Sequence, residues 1–437
     1  MGREEIVMVC CSDIAGQLRG KGFPVRLLGE RLDRGVGWTP TNIMITAHGT
    51  IADSPWGPFG DLALLPDLDT LTRVDFGPEH AVEQFVLGDI RELDGSPWAC
   101  CPRDFLRRGL AALQAEFGLT LKGAFEHEFH LDLAEERANA PYNLDAFRRQ
   151  DRFGEVFLWA LGEAGIEADT IMPEYGPSQY EVTVAPRQGL AIADAAIVTR
   201  EMARATAHRL GGRASFAPIL RPGAVGNGVH VHLSLVDAAG APVMHDAGRE
   251  GGLSATAGRF VAGILEAAPA LVALTAAATV SYLRLTPNRW SAAYNNLGLN
   301  DREAAVRICP VFATTGVPAA EQLHVEFRAA DAAASPYLLL GGLVWAGLDG
   351  LRRGLECPPI TASDPSTMAD DELARLGLRR LPQSLGTALD ALERHAALKQ
   401  AMGATLHDAY LRHKRFEAAQ MAEFDDAEQC DRYRLAY

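Results

Sequence analysis

Apolar residues beyond position 102 recur every three or four positions, which is the spacing of a helix that buries one face. Leu106, Leu110 and Leu113 show this spacing, and Gly118 then supplies a helix end. The pattern predicts helices at 103–117, 144–165, 191–210, 253–277, 337–353 and 385–402. Short apolar runs lie between these segments, so the sequence predicts an α+β fold.

The first hundred residues lack the helical spacing and alternate short apolar runs with turn residues. Strands are predicted at 4–11 and 43–47, and Gly and Pro cluster between 54 and 59. A boundary is predicted between Pro97 and Pro102. The chain therefore divides into a predicted N-terminal domain at 1–100 and a predicted larger domain at 101–437.

Four predicted strands carry an unusual set of side chains on their polar faces. Because side chains alternate along a strand, every second residue shares a face. The residues on these faces are Glu126, Glu128 and His130; Gln179, Glu181 and Thr183; His230, His232 and Ser234; and His324, Glu326 and Arg328. One such face alone is more often an ordinary solvated strand face. Four of them in one chain favour a shared cavity on a curved sheet.

Glutamate, histidine and arginine on the walls of one cavity predict a metal-dependent site. Clustered carboxylates raise one another's pKa values unless cations compensate their charge. Oxygen-rich ligation with an imidazole suits Mg²⁺ or Mn²⁺ better than zinc. Arginines beside two such ions are typical of phosphoryl transfer. The sequence therefore predicts two or more Mg²⁺ or Mn²⁺ ions beside a phosphate-bearing substrate.

Composition narrows the choice of partners. The formal net charge of −15 argues against nucleic acid and, more weakly, against an anionic membrane surface. The segment 261–280 is nearly all apolar, but Glu266 and Pro269 interrupt it, which favours a buried helix over a membrane span. The seven cysteines follow no metal or disulfide spacing, and residues 1–11 lack the apolar core of a signal peptide. We expect reduced thiols and a cytoplasmic location.

Several motifs resemble those of the glutamine synthetase family, and the similarity runs from about Ile6 to beyond Gly403. The motifs are Glu126-x-Glu128, Glu174 with the run to Glu181, Gly228-Val-His230-Val-His232, Ser281-Tyr-x-Arg284-Leu, Asn300-Asp-Arg302 with Arg307, and Glu326-Phe-Arg328. The resemblance is to type I-like members. It implies a β-grasp N-terminal domain and a catalytic domain with a curved antiparallel sheet surrounded by helices. It also implies a homo-oligomeric ring, a dodecamer of two hexamers or similar, with active sites between subunits.

The resemblance also implies a role for each matching residue, with ATP as co-substrate and glutamate as acyl donor. One divalent ion would be held by Glu128, Glu174 and Glu181, and the second by Glu126, His230 and Glu326. Arg302 and Arg307 would contact the phosphates, and Arg307 would stabilise the transferring phosphoryl group. Arg284 and Arg328 would hold glutamate and its acyl phosphate. The remaining assignments are His232 and Ser234 on the nucleotide side, and Gly228 and Trp290 on the substrate side.

The sequence departs from glutamine synthetase at positions that bear on the amine. Trp290 stands where the loop after the SYxRL motif usually carries a glutamate, and the N-terminal stretch 35–38 has no acid in place of a usual aspartate. Val225 replaces an asparagine of the glycine-rich motif, and a lysine expected at 216–222 is absent, where Arg221 is a candidate substitute. Family members that make γ-glutamyl amides of polyamines, alkylamines or aromatic amines share this kind of departure.

Ammonium is a small cation that needs carboxylates at such positions, whereas tryptophans suit a larger, less polar acceptor. The predicted function is therefore an ATP-dependent ligase that forms a γ-glutamyl amide from glutamate and an organic amine. A true glutamine synthetase that uses ammonia is the alternative within the same class. A non-catalytic assembly protein on the same scaffold is the alternative from another class, and the intact set of metal ligands and phosphate arginines argues against it. A guanidine or sugar-amine acceptor also stays open.

Overall fold

The computed structural model describes residues 3–132 and 141–437. Its strands are β1 (Ile6–Ser12), β2 (Leu18–Pro24), β3 (Val36–Trp38), β4 (Leu62–Pro66), β5 (Thr72–Val74), β6 (Glu83–Arg91), β7 (Thr120–Asp132), β8 (Ala168–Pro173), β9 (Gln179–Val184), β10 (Arg187–Gln188), β11 (Arg213–Ser215), β12 (Val229–Val236), β13 (Leu297–Leu299), β14 (Val306–Ile308), β15 (Val325–Phe327) and β16 (Ile360–Thr361).

The helices cover most of the chain beyond residue 102. They are α1 (Leu28–Arg34), α2 (Pro102–Phe117), α3 (Leu144–Arg149), α4 (Arg152–Glu163), α5 (Ala191–Arg209), α6 (Ala255–Thr275), α7 (Ser281–Arg284), α8 (Ala319–Gln322), α9 (Pro336–Arg353), α10 (Asp370–Leu376), α11 (Leu385–Arg394), α12 (Ala396–Met421) and α13 (Asp426–Ala436). The helices predicted at 103–117, 191–210, 253–277 and 337–353 are confirmed as α2, α5, α6 and α9, to within two residues at each end.

The N-terminal strands form one sheet in the order β2-β1-β6-β4-β3, with β5 also paired to β6. Strands β1 and β6 are parallel and the other pairs are antiparallel. Helix α1 packs near β4, and alternate residues of β1 such as Val7 and Val9 are fully buried. This arrangement is the β-grasp fold predicted for the N-terminal part.

The larger sheet runs in the order β16-β13-β14-β15-β12-β7-β9-β8, with β10 and β11 paired to β7. It is antiparallel except at one end, where β13 pairs in parallel with β14 and β16. The loop between the short strands β13 and β14 carries Arg302 into the cavity described below. The predicted catalytic-domain fold is confirmed, with this parallel end as its one departure from an antiparallel sheet among the described residues.

Strand β7 shows how the sheet separates core from cavity. Phe125, His127 and Phe129 are buried against the helices, whereas Glu126 and Glu128 are half-buried on the other face. The alternation follows from the pleat of the strand, in which successive side chains point to opposite sides. The polar faces predicted from the sequence on β7, β9, β12 and β15 are therefore real sides of one sheet.

Three predicted elements differ from the structure. The strand predicted at 43–47 does not form: residues 43 and 44 end a 3₁₀ helix, Pro40–Met44, and residues 45–47 lead into a turn. Pro40 suits the first turn of that helix. The helix predicted at 144–165 breaks at Asp151, whose φ of +47° cannot continue a right-handed helix. The helix predicted at 385–402 breaks at His395, whose Nδ1 accepts a hydrogen bond from the Leu398 N–H and begins α12.

The apolar helix α6 lies inside the protein. It is long and apolar enough to cross a membrane by length and composition, but 83% of its most apolar window is buried. It packs against α9 and α11. The prediction of a buried helix is confirmed. Gly263 allows the close contact of α6 with α9, since a Cβ at this position would lie 2.1 Å from the Ala346 carbonyl oxygen.

Candidate active site

A cavity of about 1070 Å³ opens on the polar face of the larger sheet. Most of the predicted site residues line it: Glu126, Glu128, Glu174, Glu181, His230, His232, Arg284, Trp290, Arg302, Arg307, Glu326 and Arg328. Two predicted residues do not. Gly228 lies close to the side chains of Arg284 and His230, and Ser234 lines a neighbouring pocket. The structure thus brings the motifs of β7, β9, β12 and β15 into one place.

Strand register places the ionisable side chains opposite one another. Glu128 on β7 is the direct partner of Glu181 on β9, and Glu126 is the partner of His230 on β12. Side chains on directly opposite residues lie within contact distance. The two like charges of Glu128 and Glu181 therefore face each other, a costly arrangement that a bound cation would relieve.

One half of the cavity carries carboxylates that no positive charge among the described residues balances. Burial and the nearby Glu128 raise the pKa of Glu174 to about 7. Burial, together with Glu126, Glu128 and Glu174, raises the pKa of Glu181 well above its usual range. These groups are the predicted ligands of one divalent ion, and their chemistry fits Mg²⁺ or Mn²⁺, which prefer carboxylate oxygens.

Hydrogen bonds fix the orientation of these carboxylates. Glu128 accepts the Gly228 N–H at 2.7 Å. Glu174 accepts the Tyr142 hydroxyl at 3.0 Å and the Tyr175 N–H at 3.1 Å. Such outer contacts hold metal-ligating side chains in place in known metal sites.

The second predicted ligand set contains the imidazole. His230 Nδ1 lies 2.5 Å from Glu126 Oε1 and 3.6 Å from Glu326 Oε1. Burial alone would raise the pKa of Glu126, but hydrogen bonds from His230 and His232 lower it well below its usual value. Two carboxylates and one imidazole again fit Mg²⁺ or Mn²⁺.

The two predicted ligand sets are not separate in space. Ligand atoms of Glu126, Glu181 and His230 lie within 4.8 Å of one another, and so do those of Glu126, His232 and Glu326. Glu126 belongs to both groups because β7 lies between β9 and β12 in the sheet. The assignment of each ligand to one of two ions stays a prediction.

Arginines surround Glu326 on the other side of the cavity. Arg307 Nη1 donates to Glu326 Oε2 at 2.8 Å, and Arg328 Nη1 donates to Glu326 Oε1. Burial would raise the pKa of Glu326, but Arg328 and His230 lower it to about 2. Guanidinium groups held this close to a predicted metal ligand can donate hydrogen bonds to a phosphate or carboxylate of a substrate.

Glycines make room for Arg284, which is 4% exposed. A Cβ on Gly226 would lie 2.5 Å from the Arg284 side chain, and one on Gly228 would lie 3.1 Å from Arg284 Nη1 and from His230 Nε2. Arg284 donates to the Ala330 carbonyl at 2.5 Å while its Nε has no partner among the described residues. The glycine-rich motif therefore positions the predicted glutamate-binding arginine.

An aromatic wall closes the end of the cavity near Trp290. The Trp290 and Tyr175 rings meet edge to face at 5.2 Å, and Tyr175 meets Tyr142 at 5.6 Å. Arg302 lies 5.9 Å from the Trp290 ring centre. The sequence pattern indicated Trp290 but neither of the two tyrosines. Tyr175 directly follows Glu174, and this adjacency was the available signal.

The loop that carries Trp290 is held in a strained conformation. Trp290 has a φ of +53°, which a bulky residue rarely adopts. Its N–H donates to Glu303 Oε1 at 2.6 Å, and the Asn288 N–H donates to Glu303 Oε2 at 3.0 Å. Its carbonyl accepts Arg328 Nη2 at 3.1 Å. These bonds keep the half-exposed indole at the cavity.

A smaller pocket of about 350 Å³ adjoins the main cavity. Ser234, His324 and Lys122 line it, and Glu126 and His232 line both spaces. A ligand with its phosphates in the main cavity could therefore place a further group in this pocket. The arrangement agrees with the predicted placement of Ser234 and His232 on the nucleotide side.

Two predictions about other residues fare differently. The Trp38 side chain is 5% exposed and belongs to the N-terminal core, so it does not line the cavity of its own chain. A role of the stretch 35–38 in the amine pocket of a neighbouring subunit stays a prediction. The strand β3 alternates, and its outward residue is Gly37. All seven cysteines lie in the described residues and are free thiols.

Cys309 was not identified from the sequence as chemically active. It lies beside His232 and His324, with a ligand atom of each within 4.8 Å of the others. Burial opposes ionisation of its thiol, but the neighbouring His232 and His324 lower its pKa below the usual value.

Both parts of the chain match the domains of one known family. Residues 2–98 match the glutamine synthetase N-terminal domain, and residues 99–433 match the glutamine synthetase catalytic domain. The gamma-glutamylpolyamine synthetase GlnA3 of Streptomyces coelicolor is 34% identical over 99% of this chain and 93% of its own. The type-1 glutamine synthetase 1 of Dictyostelium discoideum is 27% identical over 97% of this chain and 88% of its own.

A solved structure of a novel glutamine synthase homolog shares 41% identity with this chain, with a TM-score of 0.92. It covers 100% of this chain, and 99% of that homolog is covered in return. Family enzymes use ATP and divalent metal ions. The cavity contains carboxylates that suit divalent ions and arginines that suit phosphates. The chain belongs to the glutamine synthetase family and is an ATP-dependent ligase.

Proposed function

We propose that this ligase joins the γ-carboxylate of glutamate to an organic amine and releases ADP and phosphate. The observation that carries the proposal is the aromatic wall of Trp290, Tyr175 and Tyr142 at one end of the cavity. In the family resemblance, an acid is expected at the position of Trp290. The finding that GlnA3 of Streptomyces coelicolor is a gamma-glutamylpolyamine synthetase supports the same choice.

The chemistry proceeds in two displacements. A carboxylate is a poor acyl donor because oxide is a poor leaving group. A γ-carboxylate oxygen of glutamate attacks the γ-phosphorus of ATP, the bond to the β-phosphate oxygen breaks, and γ-glutamyl phosphate forms. The amine nitrogen then attacks the acyl carbon, phosphate leaves, and the nitrogen loses a proton. Divalent ions supply charge compensation when bound, which lets the carboxylate approach the polyphosphate.

The residues of the cavity divide these tasks by charge. Glu126 and the carboxylates around it, Glu128, Glu174, Glu181 and Glu326, would hold the ions together with His230. Arg307, which is 9% exposed, stabilises the transferring phosphoryl group, and Arg302 contacts phosphate. Arg284 and Arg328 bind the α-carboxylate of glutamate and then the acyl phosphate. Arginine suits these roles because its planar group pairs with both oxygens of a carboxylate or phosphate.

The walls near Trp290 favour an acceptor with an apolar part. Trp290, Phe312 and Val225 line the cavity and are 51%, 59% and 44% exposed, so their apolar surface is available to a ligand. Burial of a methylene group is worth about 0.8 kcal/mol. Three or four methylenes would favour an organic amine over ammonium by roughly two orders of magnitude.

Glu303, which contacts the Trp290 loop, does not replace the glutamate expected at position 290. Glu303 accepts the N–H groups of Asn288 and Trp290, and it does not line the cavity. Its carboxylate therefore holds the loop and is not part of the cavity wall. Ammonium has no methylene group to bury against the aromatic walls and would lack Glu303 as a partner.

The test is a competition between ammonium and a panel of primary amines, read as the ratio of kcat/KM values for phosphate release with ATP and glutamate. The panel contains alkylamines, diamines and polyamines, and aromatic amines. We expect at least one organic amine to exceed ammonium by roughly two orders of magnitude. If ammonium exceeds every amine, the chain is a divergent glutamine synthetase, as the Dictyostelium relative would suggest.

A matched pair of variants tests the role of Trp290. Trp290→Glu restores an acid and should shift the ratio toward ammonium by about tenfold or more, since a hydrogen bond to a charged group is worth about 1.5–3 kcal/mol. Trp290→Phe keeps an apolar ring and should keep the preference for the organic amine. Equal ratios in both variants would place acceptor selection elsewhere.

A ring of subunits with sites at their junctions is also proposed for this chain. Ile6 and Met8 are exposed apolar residues on the outer face of β1 and offer a surface for a second copy. The free thiols fit the proposed cytoplasmic location. Light scattering tests the assembly, and an active monomer would contradict it.

A further inference from the structure

A cluster of nitrogen and sulfur ligands lies beside the carboxylates. His232 from β12, Cys309 after β14 and His324 before β15 place one ligand atom each within 4.8 Å of the others. His232 Nδ1 and His324 Nε2 are 3.1 Å apart. The backbone N–H of Cys309 donates to the His324 carbonyl oxygen at 3.1 Å, which fixes the position of Cys309 relative to His324. The pairing of neighbouring strands therefore builds this cluster.

The outer contacts of both rings turn their free nitrogens inward. His324 Nδ1 lies 2.7 Å from the Gln322 carbonyl oxygen, which can only accept, so we assign the proton to Nδ1 and the lone pair to Nε2. His232 Nε2 lies 3.6 Å from Glu126 Oε2, which places a carboxylate on the outer side of that ring as well. Histidines that bind metals usually direct their other nitrogen to a carbonyl or carboxylate in this way.

The ligand types separate this cluster from the magnesium site. Mg²⁺ prefers oxygen ligands and keeps much of its water, whereas Zn²⁺ prefers imidazole and thiolate. We propose that His232, Cys309 and His324 form a third metal site, which takes a borderline-soft divalent ion of the Zn²⁺ class and not Mg²⁺. Three protein ligands leave a further position open, as in zinc sites that bind water or a substrate.

The position of the cluster gives this site a consequence for catalysis. His232 lines both the main cavity and the adjoining pocket, and His324 lines that pocket. An ion that holds His232 removes it from the nucleotide, so Zn²⁺ should inhibit in competition with ATP. This consequence rests on the proposed nucleotide role of His232, whereas the metal site itself does not.

Cobalt spectroscopy tests the site without any activity measurement. One equivalent of Co²⁺ is added to the full chain in saturating Mg²⁺, which occupies the carboxylate sites. We expect the charge-transfer absorption of a cobalt–thiolate bond, and Zn²⁺ should displace it. Cys309→Ser should lose the band, and Cys357→Ser, a half-buried thiol outside both pockets, should keep it. No band in the native chain, or a band that survives in Cys309→Ser, overturns the proposal.

Zinc affinity and inhibition provide the second measurement. Competition with a chelator should show that His324→Ala weakens Zn²⁺ binding by more than the roughly 10–100-fold typical of an outer contact. Circular dichroism checks that each variant is folded, and either variant is sufficient for the test. Zn²⁺ should raise the apparent KM for ATP in Cys357→Ser but much less in Cys309→Ser. Equal inhibition of both would assign the effect to the carboxylates and overturn the link to this cluster.

Discussion

Two of the buried clusters of acidic and basic side chains are balanced in different ways. At the junction of the N-terminal sheet with helices α2 and α5, Arg103 is 3% exposed and pairs with Asp67 at 2.8 Å, Asp194 at 3.0 Å and Asp89 at 3.3 Å. Arg107 adds a second cation to Asp89. In the cavity, by contrast, the carboxylates beside Glu181 face one another.

The pKa directions express the same contrast. Burial would raise the pKa of Asp89, but hydrogen bonds from Arg107 and the charge of Arg103 lower it. Glu174 and Glu181 have raised pKa values because burial and like charges act together. A satisfied cluster stabilises the fold by itself, whereas an unsatisfied one stores unfavourable energy that a ligand can release. The difference identifies the junction as structural and the cavity as functional.

The largest expected effect comes from removal of one cavity carboxylate. Glu128→Ala should lower ATP-dependent amide formation by at least about 10³-fold, since a metal supplies several kcal/mol of charge stabilisation. Phosphate release with ATP, glutamate and an amine measures the loss. The metal-free variant should be as stable as the native chain or more stable, because a like charge is gone. Near-normal activity with normal metal dependence would show that Glu128 is not a ligand.

The reverse result is expected at the junction. Arg103→Met leaves buried carboxylates unpaired and should reduce the free energy of unfolding by about 3–5 kcal/mol. Denaturant unfolding of the metal-free chain measures this change. Arg412→Met is the matched control, because Arg412 pairs at the surface with Asp53 and Asp408 and should cost less than about 1 kcal/mol. Equal losses in the two variants would contradict the structural role of Arg103.

Arg307 tests the basic side of the cavity. Arg307→Ala should lower kcat by about 10²–10³-fold, because it acts on charge that develops in the transition state. ATP affinity, measured by calorimetry, should change far less. Equal losses in kcat and ATP affinity would mean that Arg307 only binds nucleotide.

Arg328→Ala should instead raise the KM for glutamate, because Arg328 is proposed to bind glutamate. An unchanged KM for glutamate would exclude this role of Arg328.

The smallest expected effect is a pH dependence of stability without metal. The pKa of Glu174 is raised from 4.5 to about 7, so the folded state loses stability as pH rises through that interval. Asp89 acts oppositely, because its lowered pKa adds stability that disappears only in more acidic solution, as pH falls through the folded value.

Thermal unfolding in a chelator at pH 5 and pH 7.5 measures this dependence. Mg²⁺ or Mn²⁺ should raise Tm by a few degrees more at pH 7.5 than at pH 5, because more of the carboxylates that bind the ion are then ionised. Glu174→Gln should flatten the pH profile in the chelator. A metal effect that is identical at both pH values would contradict the unbalanced state of the cavity.

Much of the site could be predicted because the alternation of side chains along a strand depends only on the local sequence. Alternation along β7, β9, β12 and β15 placed the polar residues on one side, and the residue types indicated metal and phosphate. The helix break at Asp151 could not be predicted, because a local conformation opposed a continuous apolar pattern. Tyr142 gave no sequence signal, since it lies far along the chain from Trp290 and reaches the site only through the fold.

The sequence by itself determined the sides of the strands, the supply of carboxylates, imidazoles and guanidinium groups, and the family. These features depend on side-chain period and composition, which are local properties. The tertiary structure decided which charges meet. Register placed Glu128 opposite Glu181, packing surrounded Arg103 with carboxylates, and neighbouring strands brought Cys309 to two histidines. These contacts join residues that lie far apart in the chain. Only the tertiary structure therefore decides which charges are balanced within the protein and which need a bound ligand for balance.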